Sequence, residues 1–92
     1  SGHTITSIYP NPANPLTTIT YHLYSPTITK IGIYSLTGQL VWETEMYQPT
    51  SGEYTLVWPG RNSSDQPVSS GIYFVQVSAD QWRESRKIVV LK

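Results

Sequence analysis

Groups able to do chemistry are few in this chain and poorly placed for it. The 92 residues hold two histidines, six carboxylates, six basic side chains and no cysteine. His3 and His22 stand far apart and in no metal-ligand spacing, so surface or packing roles suit them better than ligation. Serine is common, but His22 falls mid-strand with no acid in recognisable relation to it, and a nucleophile needs both a base and a group to orient that base. Glu43, Glu45, Glu53, Asp65, Asp80 and Glu84 fall at turns or on solvent-facing positions. Asp65 with Asn62, Ser63 and Ser64 offers oxygen ligands, yet too few and too irregularly spaced for a calcium loop; turn chemistry is the better reading. No glycine-rich phosphate loop occurs. These residues predict a non-catalytic domain that needs no metal and no cofactor.

Composition excludes further classes. Acids and bases balance, so the electrostatic footprint of a nucleic-acid binder is missing, as is a polybasic membrane patch. Without cysteine there is neither a disulfide framework nor a thiolate metal site. No apolar run approaches the roughly 18 residues of a membrane span, and no signal peptide is expected within these residues. Trp42, Trp58 and Trp82 raise a carbohydrate-binding alternative, because aromatic faces stack on sugars. Strand phase places Trp58 in the core, leaves Trp42 undecided, and sets Trp82 beside a turn as the candidate exposed aromatic.

The elements that would position these groups are strands. Thr, Tyr, Ile and Val are abundant, and seven prolines and six glycines punctuate the chain. Alternation and turn signals predict strands over Thr4–Tyr9, Thr17–Tyr24, Ile28–Leu36, Gln39–Met46, Glu53–Trp58, Gly71–Ala79 and Trp82–Leu91. Ile19, Tyr21 and Leu23 share one face; so do Ile31 and Ile33, then Tyr54, Leu56 and Trp58, then Tyr73, Val75 and Val77. Leu40, Val41 and Trp42 run together and leave the fourth strand's faces ambiguous. Pro59–Ser70 reads as a polar loop, and Asp80-Gln81 as a tight hairpin turn. The expectation is an all-β, immunoglobulin-like or fibronectin III-like antiparallel sandwich of about seven strands. Residues 4–92 make a single domain, and Ser1-Gly2-His3 is read as a possible cloning remnant.

Four segments also carry a family resemblance. Tyr9-Pro10-Asn11-Pro12, followed by Ala13-Asn14-Pro15, resembles the opening motif of the type A C-terminal sorting domain of the type IX secretion system. Gly38-Gln39-Leu40-Val41 is similar to its second motif, Gly71-Ile72-Tyr73 to its Gly-x-Tyr strand, and Arg86–Lys92 to its basic, apolar, basic end. The related Ig-like domain of flagellar hook-capping proteins shares a Trp-x-Gly loop, here Trp58-Pro59-Gly60, leading into Gly71-Ile72-Tyr73. The resemblance implies a C-terminal address on a larger exported protein of a Gram-negative bacterium, recognised by outer-membrane export machinery. It implies removal by a sortase-like protease that cuts before Tyr9, with the parent protein passing through the periplasm to the cell surface. The hook-cap kinship implies the alternative of a structural accessory module on a secreted enzyme or adhesin.

On this reading the recognition candidates are Tyr9, Pro10, Asn11, Pro12, Gly38, Gly71, Tyr73, Lys87, Val89, Leu91 and Lys92. Each has a plain structural role beside it. The prolines fix φ and block edge pairing. Gly71 eases the exit from a loop, and Tyr73 packs its ring in the core with its hydroxyl tied to a backbone group, as in a tyrosine corner. Ile88–Leu91 is the last strand, protected by Lys87 and Lys92 or open to a partner's strand by β-augmentation.

Overall fold

The computed structural model describes residues 2–92; Ser1, the first residue of the suspected cloning remnant, lies outside the described residues. Seven strands form: β1 (Thr4–Tyr9), β2 (Thr17–Leu23), β3 (Thr27–Ser35), β4 (Leu40–Gln48), β5 (Gly52–Trp58), β6 (Gly71–Ala79) and β7 (Trp82–Val90). They make two antiparallel sheets, ordered β1-β2-β5 and β4-β3-β6-β7. The core between them is built as the alternation predicts. Ile5, Ile19, Tyr21, Leu23 and Trp58 from one sheet meet Ile31, Ile33, Tyr73, Val75, Val77, Ile88 and Val90 from the other. Each fully buried aliphatic or aromatic side chain contributes about 1.5–3 kcal/mol.

Two bulges explain where simple alternation fails. In β1, Ile5 pairs Tyr21 and Ser7 pairs Thr20, which leaves Thr6 as an extra residue and lets both Ile5 and Ile8 turn inward. In β4, Trp42 pairs Ile33 and Leu40 pairs Tyr34, so Val41 is the inserted residue. That insertion resolves the Leu40-Val41-Trp42 ambiguity and packs Trp42 against the core. β4 also runs on to Gln48, beyond the expected Met46, because Gln48 pairs Thr27 and its buried amide donates to the Tyr21 hydroxyl at 3.1 Å. β7 ends at Val90, one residue short of expectation.

The turns follow their residue chemistry. Asp80 takes φ 57° at the first central position of the β6–β7 hairpin, the φ pattern of a II′ turn. In the long loop the Asn62 side-chain oxygen accepts from the Ser64 and Gln66 amides, both at 3.0 Å, an Asx turn. Asp65 adopts φ 60°, and its carbonyl accepts from Arg61 at 2.7 Å. The residues considered for calcium thus shape the loop. Gly60, at φ +75°, lies where a Cβ would sit 2.7 Å from the Pro15 Cβ, so this loop closes onto the proline segment only through glycine.

Candidate functional site

Edge strands must be covered, because unpaired N–H and C=O groups invite foreign pairing. β1 and β7 are edges of different sheets and face one another, and side chains seal the gap between them. The Ile5 N–H donates to Glu84 Oε1 at 3.0 Å, Arg86 Nη2 donates to the Ile5 carbonyl at 2.8 Å, and Arg86 Nε donates to Glu84 Oε2 at 2.9 Å.

Further along β7 the cover is the proline segment. After β1 the chain leaves its own sheet and lies along the outer edge of β7. Asn11 acts there as a substitute strand: its Oδ1 accepts from the Val89 N–H at 3.0 Å and its Nδ2 donates to the Lys87 carbonyl at 3.1 Å. Ala13, fully buried, continues the pairing, its N–H donating to the Val89 carbonyl at 2.7 Å and its carbonyl accepting from the Leu91 N–H at 2.9 Å. Thr17 fixes the far side of the segment by donating to the Pro10 carbonyl at 2.7 Å. Prolines suit this path because Asn11 and Ala13 supply every hydrogen bond made to β7.

The first and last recognition motifs therefore form one patch. Tyr9, at 77% exposure, Pro10, Asn11 and Pro12 lie on the surface, as do Lys87, Leu91 and Lys92, while Val89 is half-buried. The Lys92 N–H donates to Ser70 Oγ at 3.1 Å, which ties the chain end to the loop before β6. The open terminal edge expected for β-augmentation is not found: its outward groups at Lys87, Val89 and Leu91 are already hydrogen-bonded within the chain.

The other candidates are separate from this patch. Tyr73 is buried beside Trp58, and its hydroxyl donates to the Ser69 carbonyl at 2.7 Å. Gly71, at φ +156°, leads into that strand with open space around it. Gly38, at φ +88°, sits in the β3–β4 turn, where Ser35 accepts the Gly38 amide on its carbonyl and the Gln39 amide on its hydroxyl. These residues build the fold. Tyr54 repeats the Tyr73 arrangement, its hydroxyl donating to the Thr50 carbonyl at 2.7 Å. The shared spacing, Thr50 to Tyr54 and Ser69 to Tyr73, is a sequence signal for this pair. Burial pushes the Tyr21 phenol above its ordinary range; the Gln48 hydrogen bond pulls it back in part and Tyr54 adds to the rise.

The tryptophans form no common platform. Trp58 is fully buried and donates to the Arg61 carbonyl at 3.0 Å, and Trp42 is half-buried against the core. Trp82 is also half-buried, with its ring set edge-on to His3 at 5.5 Å. His3 itself is buried. Its Nδ1 accepts from the Tyr24 N–H at 2.9 Å, so the proton sits on Nε2, which faces Asp80 Oδ2 at 3.3 Å. Asp80 in turn accepts from the Thr27 hydroxyl at 2.9 Å. Thr27 thus points at the acid and not at the imidazole, and both ring nitrogens are engaged in fixing the start of β1. Among the described residues no three His, Asp or Glu side chains gather as a metal site.

Two packed antiparallel sheets with this strand order, a tyrosine in each of two strands tied back to the carbonyl four residues earlier, and a covered C-terminal edge define an immunoglobulin-like β-sandwich. The chain belongs to the family of secretion system C-terminal sorting domains, whose model matches residues 7–91. It is thus a C-terminal sorting domain of type IX secretion, an all-β module of the kind that marks an exported cargo chain. Among solved structures, dimeric latent PorU from Porphyromonas gingivalis superposes with a TM-score of 0.74 at 17% identity, covering 97% of this chain and 9% of PorU. The hook-capping protein FlgD from Xanthomonas campestris gives 0.67 at 15% identity, covering 95% of this chain and 64% of that one. FlgD from P. aeruginosa gives 0.62 at 16% identity, covering 97% and 67%. The chain therefore spans only about a tenth of the length of PorU, and these likenesses show the fold alone. No curated protein sequence matches it.

Proposed function

We propose that the export machinery at the outer membrane reads this domain through the patch that joins Tyr9–Pro12 to Lys87–Lys92. The observation that carries this reading is the pair of hydrogen bonds from Asn11 to the Val89 amide and the Lys87 carbonyl. They make the two ends of the family match a single surface in the folded state. The address is then a folded surface and not a loose tail, which suits a signal that must survive in the periplasm until the machinery binds it.

Removal by a sortase-like protease fits a cut before Thr4. β1 is laddered to β2 along its length, Ile5 is held by Glu84 and Arg86, and His3 is buried, so the chain from His3 onward is protected from a protease by the fold. The cargo would be released at the cell surface or outside the cell, in keeping with a sorting domain in which no helix among the described residues is long and apolar enough to cross a membrane. A structural module of the hook-cap kind is the second reading, supported by the shared fold with FlgD.

A fusion separates the two. Residues 2–92 are attached behind a reporter bearing an export signal, in a host with the type IX machinery. The sorting reading expects the reporter at the surface or in the medium. Retention in the periplasm, equal to that of the reporter without the domain, would leave the structural-module reading.

A further inference from the structure

The outer face of the four-stranded sheet carries a pattern that, Lys87 apart, the sorting role does not use. Register places its side chains in rows across β7, β6, β3 and β4. One row reads Lys87, Phe74, Tyr34, Leu40; a second reads Ser85, Gln76, Gly32, Glu43; a third reads Arg83, Ser78, Lys30, Glu45. The rings of Tyr34 and Phe74 are half-buried neighbours at the centre of the face. Tyr34 lies flat over Gly32, where a Cβ would meet its ring at 2.8 Å. Ile28, Tyr47 and Ile72 add exposed apolar surface. Tyr34, Phe74 and Leu40 thus make an apolar end to a face whose other two rows are polar and charged, a mixed surface suited to a contact that is part aromatic and part electrostatic.

The charges on the face say which partner fits. Bases stand on the β7 side, at Arg83 and Lys87, and acids on the β4 side, at Glu43 and Glu45. Lys30 pairs Glu43 at 3.4 Å, but among the described residues neither Arg83 nor Glu45 is in an ion pair. The surface is therefore complementary to itself under one rotation.

We propose that this face is a homodimer interface, with a twofold axis running along the strands between β3 and β6. The rotation lays β7 of one copy over β4 of the other at the same height. Arg83 then meets the second copy's Glu45, and Glu45 meets the second copy's Arg83. Along the central row Phe74 lies over Tyr34 of the other copy, and Tyr34 over its Phe74, a stacking geometry that aromatic pairs favour. Zero net charge removes the long-range repulsion that would otherwise oppose two copies meeting. Four strands about 4.8 Å apart and three rows about 7 Å apart give a face of roughly 400 Å², smaller than the roughly 800 Å² per partner of a stable complex. The dimer is accordingly weak and reversible. The inference is independent of the sorting role.

Sedimentation velocity from about 10 μM to about 1 mM tests it. The unaltered chain should move from monomer toward dimer across that range, and added salt should weaken the shift by screening the ion pairs. Arg83→Glu alone should stay monomeric, because its dimer would set the introduced carboxylate against Glu45 twice. Glu45→Arg alone should fail for the same reason with opposite sign. An equal mixture of the two variants should recover the dimer, since each copy then supplies the other's missing charge. Both are surface positions, and circular dichroism confirms that each variant folds. A monomer at every concentration, or a dimer that persists in both variants separately, would overturn the proposal.

Discussion

Asn11 and Val89, at opposite ends of the chain, are joined by a 3.0 Å hydrogen bond in which an asparagine side chain takes the place of a neighbouring strand. The same amide group reaches Lys87, so one side chain closes two positions of an edge. Asn11→Ala should cost about 1–2 kcal/mol in urea unfolding, the sum of two ordinary hydrogen bonds. It should also speed hydrogen exchange at the Val89 amide well before that at Leu91, which Ala13 holds. Asn11→Asp should lose less, because a carboxylate still accepts from Val89 while it cannot donate to Lys87. Unchanged exchange at Val89 in Asn11→Ala would show that the clasp adds nothing to the edge.

The two tied-back tyrosines should differ in worth. Tyr73 is buried, so Tyr73→Phe removes a shielded bond to Ser69 and should destabilise by about 1 kcal/mol or slightly more. Tyr54→Phe breaks a bond made at the surface and should cost clearly less. Denaturant midpoints for the two variants give the order directly, and the reverse order would argue against burial as the cause.

Gly60 should tolerate no side chain. Its φ of +75° disfavours L-residues, and an added Cβ would meet the Pro15 Cβ at 2.7 Å and the Pro15 carbonyl at 3.0 Å. Gly60→Ala should therefore lower stability by about 2 kcal/mol or more. Gly38→Ala, with a similar φ but open space around it, should cost only the backbone term of about 1 kcal/mol. Equal losses at the two positions would mean that the contact with Pro15 is soft.

Tyr21 predicts how stability depends on alkaline pH. Its phenol is pushed above its ordinary value of 10.0 by burial, so the folded state favours the protonated form. The stability this contributes is full below the unfolded value and is lost as pH rises from there through the raised folded value. Thermal midpoints should fall above about pH 10, and Tyr21→Phe should flatten part of that fall. A fall of the same steepness in the variant would place the cause elsewhere.

Much of the fold is legible in the sequence because alternation survives in β2, β3, β5 and β6, where one face is buried, or in β5 half-buried up to Trp58, and the other is more exposed. Alternation misleads where a single residue is inserted. Neither Thr6 nor Val41 is marked as a bulge by its own identity; the partner strand's register decides it. Proline chemistry predicts that Tyr9–Pro15 joins no ladder by itself, but not that Asn11 and Ala13 pair with β7, since that contact spans nearly the whole chain. Glu84 reads as a solvent-facing charge for a similar reason: the edge that it covers together with Arg86 belongs to the other sheet. His3 precedes the first strand pattern, and its buried place depends on Tyr24 and Asp80, which only the folded chain brings to it.

The proposed sorting role turns on the two ends of the domain being read as one surface. The direct measurement is the fraction of a fused reporter that reaches the cell surface when Tyr9→Ala and Lys87→Glu are combined in a domain that still folds by circular dichroism. Both side chains are exposed and neither takes part in the Asn11 bonds, which use the Lys87 backbone. Most of the reporter should then stay in the periplasm although the sandwich is intact. Surface delivery equal to that of the unaltered fusion would contradict recognition through this joined surface.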